Sequence, residues 1–160
     1  MHIRRLDKDA DFESVVDLNR RGADYWELVG DLSSNRDKAE AVFNEVPPNC
    51  CVANAHQWGL FLNDQLLGIS VLHFGFPEDG DAYLGLLLLD SKSRDQGYGR
   101  QLLKCAETDA RARLAEKLYL AVAGVNTKGW AFWQSEGFHD TGVSGNNDAG
   151  VELHRLVKQL

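Results

Sequence analysis

The sequence predicts an α/β (α+β) fold built on a mixed sheet, with antiparallel hairpin pairing, one parallel strand–helix–strand crossover and flanking helices. Three observations predict it. "WGLFL" and "LLGISVLHF" flank the polar turn "NDQ", which is a hairpin signal. "AYLGLLLL", Ala82 to Leu89, is apolar without alternation, as expected of a strand covered on both faces. After it comes a helical pattern and a second buried run, "KLYLAVAG", and two such strands joined by a helix imply a right-handed parallel crossover.

The remaining elements follow in order. "HIRRL" alternates briefly and predicts a first strand, and residues 9 to 21 predict a helix with Phe12, Val15, Val16 and Asn19 on one side and Gly22 as its stop. "ADYWELV" predicts a short second helix. In "SSNRDKAEAVFNEVPP" Ser34 stands three residues before Asp37 and Pro47 follows the end, the marks of a capped helix. From Gly97 to Ala115 the apolar positions Leu102, Leu103, Ala106, Ala110 and Leu114 recur at helical spacing. "NTKGWAFWQSEGF" reads as a helix closed by Gly137, and "VELHRLV" alternates like a last strand.

The chain has 160 residues, 44% apolar and 26% charged, and no repeat or linker long enough to divide it, so one domain spanning 1–160 is expected. Its longest apolar run is far short of the roughly 20 residues of a membrane helix. "MHIRRLDKDADF" has no signal-peptide core, so a soluble, cytoplasmic protein without membrane contact is expected. Cys50, Cys51 and Cys105 have no C-x-x-C spacing and no paired histidines beside them, so reduced thiols and no metal are expected. A net charge of -7 argues against a nucleic-acid partner. The charge is uneven: residues 1–50 carry 7 Lys or Arg against 11 Asp or Glu, whereas residues 92–117 carry 7 against 4. That distribution suits a small polyanion at the second segment and a cationic amine at the first.

The second segment contains "SRDQGYGRQLL", residues 93–103, at a predicted strand-to-helix junction. Free backbone N–H groups and the helix dipole point at such a junction, and glycine lets an anion come close. From Gly97 through Lys104 there is no Asp or Glu to occupy those donors; Arg100 and Lys104 stand there instead. A dinucleotide fingerprint would need a third glycine where Leu102 stands, and a nucleotide P-loop would need Gly-Lys-Ser/Thr. Neither pattern is met; an anion cradle and a plain glycine turn remain.

"RDQGYG", Arg94 to Gly99, resembles the Q/R-x-x-G-x-G/A segment of the GNAT superfamily of acetyl-CoA-dependent N-acetyltransferases. "NTKGWAFWQSEGF" resembles that family's N-x-x-A-x-x-L/F-Y-x-x-x-G-F segment, aligning Asn126, Phe132, Trp133, Gly137 and Phe138. The resemblance implies a GNAT-type mixed, mainly antiparallel twisted sheet and acetyl-CoA as co-substrate. It implies that the amides of Gln96, Gly97, Tyr98, Gly99 and Arg100 cradle the CoA pyrophosphate with Arg94 nearby. The backbone of Leu87, Leu88 and Leu89 would pair with pantetheine like an added strand and polarise the thioester, Asn126 would contact the cofactor arm, and Trp133 would wall the cleft. Many family members dimerise, which makes a homodimer an expectation.

The match breaks at catalysis. Family members commonly carry a tyrosine at the place of Trp133, where its phenol protonates the departing thiolate; an indole N–H is not a usable acid. Tyr119 or water is a candidate replacement. Some members place a Glu early on the strand before the motif, whereas here Gly85 stands near that place. Asp24, Glu27 and His73 are therefore the candidate bases, and Tyr25 and Trp26 candidate walls of the acceptor pocket. The expected activity is transfer of acetyl from acetyl-CoA to a primary amine, on a small molecule or a peptide, by direct attack in a ternary complex. The alternative is a GNAT-like acyl-CoA-binding or regulatory module without turnover.

Overall fold

The computed structural model describes all 160 residues. β1 (His2–Arg5) leads into α1 (Lys8–Arg21), followed by α2 (Ala23–Leu28) and α3 (Asn35–Asn44). Then come β2 (His56–Leu62), β3 (Gln65–Phe74), β4 (Ala82–Leu89), α4 (Tyr98–Ala112), β5 (Lys117–Ala123), α5 (Thr127–Ser135), β6 (His139–Asn146) and β7 (Glu152–Gln159). All seven strands form one sheet in the order β1-β2-β3-β4-β5-β7-β6, antiparallel except for the β4–β5 pair. This is the mixed, mainly antiparallel sheet with one parallel crossover that the sequence predicts.

Local chemistry explains most element ends. Asp7 accepts from the Ala10 N–H at the start of α1, and Ser34 accepts from the Asp37 N–H at the start of α3. The β2–β3 hairpin turns on Asn63 and Asp64, both at positive φ (49° and 64°), the backbone that a two-residue turn matching strand twist requires. The predicted face of α1 is partly redrawn. Val15, Leu18 and Asn19 are buried, Phe12 and Val16 only half-buried, and Asp11 is buried because Arg4 grips it with two hydrogen bonds of 2.8 Å.

Two further expectations change. α4 stops at Ala112, and Leu114, predicted on its apolar face, is 86% exposed at φ 63°. The helix closes there by a bond from Ala115 N–H to Ala110 O, so Leu114 occupies the left-handed position that glycine usually takes and its side chain is thrown outward. β6 has no counterpart among the predicted elements: "HDTGVSGN" has two glycines and almost no buried side chain, so as an edge strand it carries no periodic apolar signal.

The sheet is covered on both faces. On one, Val15 and Leu18 of α1 and Val42 and Phe43 of α3 pack against Ile69, Val71 and Leu88. On the other, Leu103, Ala106 and Ala110 of α4 pack against Leu72, Leu84, Leu118, Leu120, Phe138 and Leu156. The first layer is pinned to the end of β4 by Arg21, which reaches Asp90 at 2.6 Å and the Leu66 carbonyl at 2.6 Å. Phe138, 1% exposed, joins the second core to α5 through an edge-on contact with Trp133 at 5.3 Å. Phe138→Ala should therefore destabilise the protein by about 3–5 kcal/mol, read as a lower urea midpoint with an unchanged slope.

Candidate active site

β4 and β5 are paired at only two positions, Ala82 with Leu118 and Tyr83 with Tyr119, and then part. The cause is in the β3–β4 register, where Leu72 opposes Leu84 and Val71 opposes Leu86, leaving Gly85 as an extra residue. Such a bulge bends its strand and ends regular pairing. Glycine is required there sterically, since a Cβ would stand 2.9 Å from His73 Nε2 and 3.0 Å from its Cδ2. Between the parted strands opens a cleft of about 730 Å³, bounded by Leu84–Leu89, by Leu120–Ala123, by the start of α4, by α5 and by Asp24, Tyr25 and Leu28 of α2. No helix is long and apolar enough to cross a membrane. No group of three or more His, Cys, Asp or Glu is arranged to hold a metal ion.

One end of the cleft is an uncapped helix start. The helices α1, α3 and α5 begin with a side-chain cap, whereas α4 begins at Gly97 with none and has no acid in its first turn. The first helical bond is donated by Gln101 to the Gly97 carbonyl at 3.3 Å, so the N–H groups of Gln96, Gly97, Tyr98, Gly99 and Arg100 bond to nothing else in the protein. Gly97 sits at φ 84° with open space where a Cβ would point. Gly99 has a different duty: its Cβ position lies 3.4 Å from Phe132 and 3.6 Å from Leu89, so it lets α4 close against α5 and β4.

The predicted binding residues divide between side-chain and main-chain roles. Leu87, Leu88, Leu89, Arg94, Gly97, Gly99, Arg100, Asn126 and Trp133 line the cleft. Leu88 is buried in the α1 core, so its contribution to the cleft is backbone. Gln96 and Tyr98 do not line it; Tyr98 packs against Leu60, Leu67 and Leu102, leaving only its amide at the cradle. Arg100 Nε donates to Glu136 Oε1 at 2.7 Å, and Asn126 Oδ1 caps α5 by accepting from Gly129 N–H at 3.0 Å. Trp133 meets Phe132 and Phe138 edge-on at 4.8 and 5.3 Å, which makes it a packed wall.

Arg94 is committed elsewhere than expected. Its guanidinium grips both carboxylate oxygens of Asp24 and reaches the Leu89 carbonyl at 3.3 Å, tying α2 across the mouth of the cleft. Those hydrogen bonds hold the Asp24 carboxyl below the usual carboxylate range, which makes Asp24 a poor base in this arrangement. Glu27 is exposed on α2 and does not line the cleft. Tyr119 pairs with Tyr83 below the point where the strands part and is also outside it. His73 is different. Its Nε2 abuts Gly85, which lines the cleft; its Nδ1 has no partner; and burial pushes the imidazole down to about 4. Tyr25 lines the cleft, whereas Trp26 packs behind it at 5.1 Å with Lys38 over its ring. Asp95, Thr127, Lys128 and Glu136 also line the cleft. None of them is among the site residues the sequence singles out; the signal available was their position inside the two motifs.

A cleft between parted parallel strands, with an uncapped helix start at one end, defines a mixed α/β protein with free main-chain donors along one groove. The pattern of the acetyltransferase (GNAT) family matches residues 23–138, and the chain belongs to that family. Among solved structures it is similar to an acetyltransferase from Thermus thermophilus, with 26% identity and a TM-score of 0.77 over 100% of this chain and 98% of that one. It has the fold of the PaiA N-acetyltransferase from Thermoplasma acidophilum in complex with coenzyme A, with 20% identity and a TM-score of 0.73 over 99% and 98% of the two chains. It also has the fold of a ribosomal-protein-alanine N-acetyltransferase from Brucella melitensis, with 19% identity and a TM-score of 0.74 over 100% of both. A comparison with curated proteins finds no match.

Two outcomes are expected of this geometry. Asparagine and aspartate tolerate positive φ comparably and differ in charge, so Gly97→Asp should bind CoA at least about tenfold more weakly than Gly97→Asn in titration calorimetry. Equal affinities would remove the pyrophosphate from this end of α4. The buried His73 gives the second. Its folded pKa, about 4, is below the roughly 6.5 of an exposed imidazole, so its stability contribution is full above pH 6.5 and is lost as pH falls towards 4. Between pH 7.5 and 4.5, His73→Gln should lose less stability than the parent by about 3 kcal/mol in urea unfolding.

Proposed function

We propose that the protein transfers an acetyl group from acetyl-CoA to a primary amine by direct attack in a complex of all three. The observation that carries this reading is the free main chain of β4 beyond Tyr83, lying beside five unbonded amides at the start of α4. A pantetheine arm fits the first as an added strand, and a pyrophosphate fits the second. The backbone around Leu87 to Leu89 then lies along the thioester, where an N–H donor stabilises the charge that develops on its oxygen.

The amine attacks the thioester carbon from the α1–α2 face of the sheet. A C–N bond forms, the C–S bond breaks, and the amine proton leaves. That proton leaves to solvent; His73, whose Nε2 faces Gly85, is neutral near pH 7 and can accept a hydrogen bond there, but with burial holding its imidazole down to about 4 it is too weak a base to keep the proton. The departing thiol, with a pKa of about 8.5, tolerates the absence of an acid at Trp133. Cys105 lies on α4 outside the cleft, which favours direct attack over an acyl-enzyme. Trp133, packed where a phenol is common, favours a second reading in which the protein binds acetyl-CoA without turnover.

Thiol release from acetyl-CoA, measured with polyamines, aminoglycosides, amino acids and peptides, separates the two. Release stimulated by one amine class is expected, and His73→Gln should lower kcat by about tenfold at most, with little change in KM for acetyl-CoA. Saturable quenching of tryptophan fluorescence by acetyl-CoA, with no release on any amine, would establish the binding module; no binding would refute both readings.

A further inference from the structure

Three arginines are half-buried: Arg21, Arg94 and Arg155. Arg21 is occupied by Asp17, Asp90 and the Leu66 carbonyl, and Arg94 by Asp24 and the Leu89 carbonyl. Arg155 has no carboxylate within 4.0 Å and its side chain makes no hydrogen bond, in a chain with 24 Asp and Glu against 17 Lys and Arg. Its guanidinium lies over Phe76 at 5.1 Å, and Phe76 meets Tyr83 edge-on at 5.1 Å. Stacking fixes the plane of a guanidinium and leaves its edge donors free, the arrangement that suits a bidentate oxyanion.

The register puts this cation on the acceptor side. Along β7, His154 and Lys158 face the α4–α5 side, where they meet Trp130 and Glu107, and Leu156 is buried in the core there. Arg155 alternates to the opposite face and pairs with Ala121, which lines the cleft, so Arg155 itself stands beside the cleft and not in its wall. That is the face on which His73 abuts Gly85 and α2 brings Tyr25 to the cleft. Asp24 is engaged with Arg94 and Asp31 with Ser33 and Lys38, and Glu78, Asp79 and Asp81 of the loop that carries Phe76 form no ion pair with Arg155. Burial pushes the Tyr83 phenol up and Arg155 opposes it, which places the two within electrostatic reach.

We infer that Arg155 recognises a carboxylate on the acceptor, so that the substrate class is a small amine carrying a carboxylate near its nucleophilic nitrogen, an amino acid or a close analogue. The inference rests on the acetyltransferase reading above and narrows its amine. The acidic excess of residues 1–50 by itself suits a cationic amine, and the ammonium of an amino acid meets it as well as a simple amine does; what Arg155 adds is a place for the carboxylate.

The test compares each common amino acid with its own amide, in thiol release from acetyl-CoA. The parent should favour at least one amino acid over its amide by about tenfold or more in kcat/KM. Arg155→Gln should raise KM for that amino acid about 10–100-fold, leave KM for the amide and for acetyl-CoA within about twofold, and Arg155→Lys should fall between. Amides or carboxylate-free amines used as well as amino acids, or an equal KM rise for both members of a pair, would overturn the inference.

A turnover-free readout runs beside it: the melting shift of the CoA-saturated protein with N-acetyl amino acids against their amides. A shift confined to the carboxylate member and lost in Arg155→Gln supports the inference, and no shift across the series overturns it. Release on amines lacking a carboxylate would sink this inference alone; a carboxylate-specific shift without release on any amine would sink the transfer reading alone.

Discussion

Two parallel strands that stay paired for only two residues are the constraint on which this molecule depends. Gly85 adds one residue to β4, the strand bends, and main-chain groups that a continuous sheet would have consumed are left facing a cleft. Gly85 and Ala121 are exposed, so these main-chain groups face an open cleft where water satisfies them, while the cores on the two faces hold the rest of β4 and β5 in place. The space vacated by a side chain at Gly85 is taken by the His73 ring. One glycine thus opens the sheet and brings an imidazole to its edge.

Charge is organised around the same opening. Buried or bridging pairs such as Arg4–Asp11 and Arg21–Asp90 brace the α1 layer, and Arg94–Asp24 ties α2 to the end of β4. What remains unengaged is instructive: five amides at the start of α4 on one side of the sheet, and the Arg155 guanidinium on the other. Both present donors that no other group of the protein accepts.

The division of labour between side chain and backbone explains why the two glycine positions of the motif behave differently. Gly97 is left-handed with nothing beside it, so it serves the open cradle, whereas Gly99 is a packing residue against Phe132. Trp133, aligned with a place where a phenol is common, is held by two aromatic edges and extends the core into the cleft wall. Binding surface and core are continuous there.

Much of this was legible in the chain itself. The hairpin, the two buried parallel strands, the helix between them and the acid-free start of that helix are local facts of composition and period, and they determined the sheet's mixed character and the place of the cradle. β6 was illegible because an exposed, glycine-containing edge strand has no periodic apolar signal, and Leu114 was misplaced because a left-handed helix stop without glycine looks like more helix. The acceptor side was decided only in three dimensions. The bulge at Gly85 depends on register with β3, the engagement of Asp24 depends on an arginine 70 residues away, and the lack of a partner for Arg155 is a property of every other charge around it. Period and spacing report what neighbours along the chain do; which groups are left unpaired depends on contacts between distant segments, and it is those groups that meet the ligand.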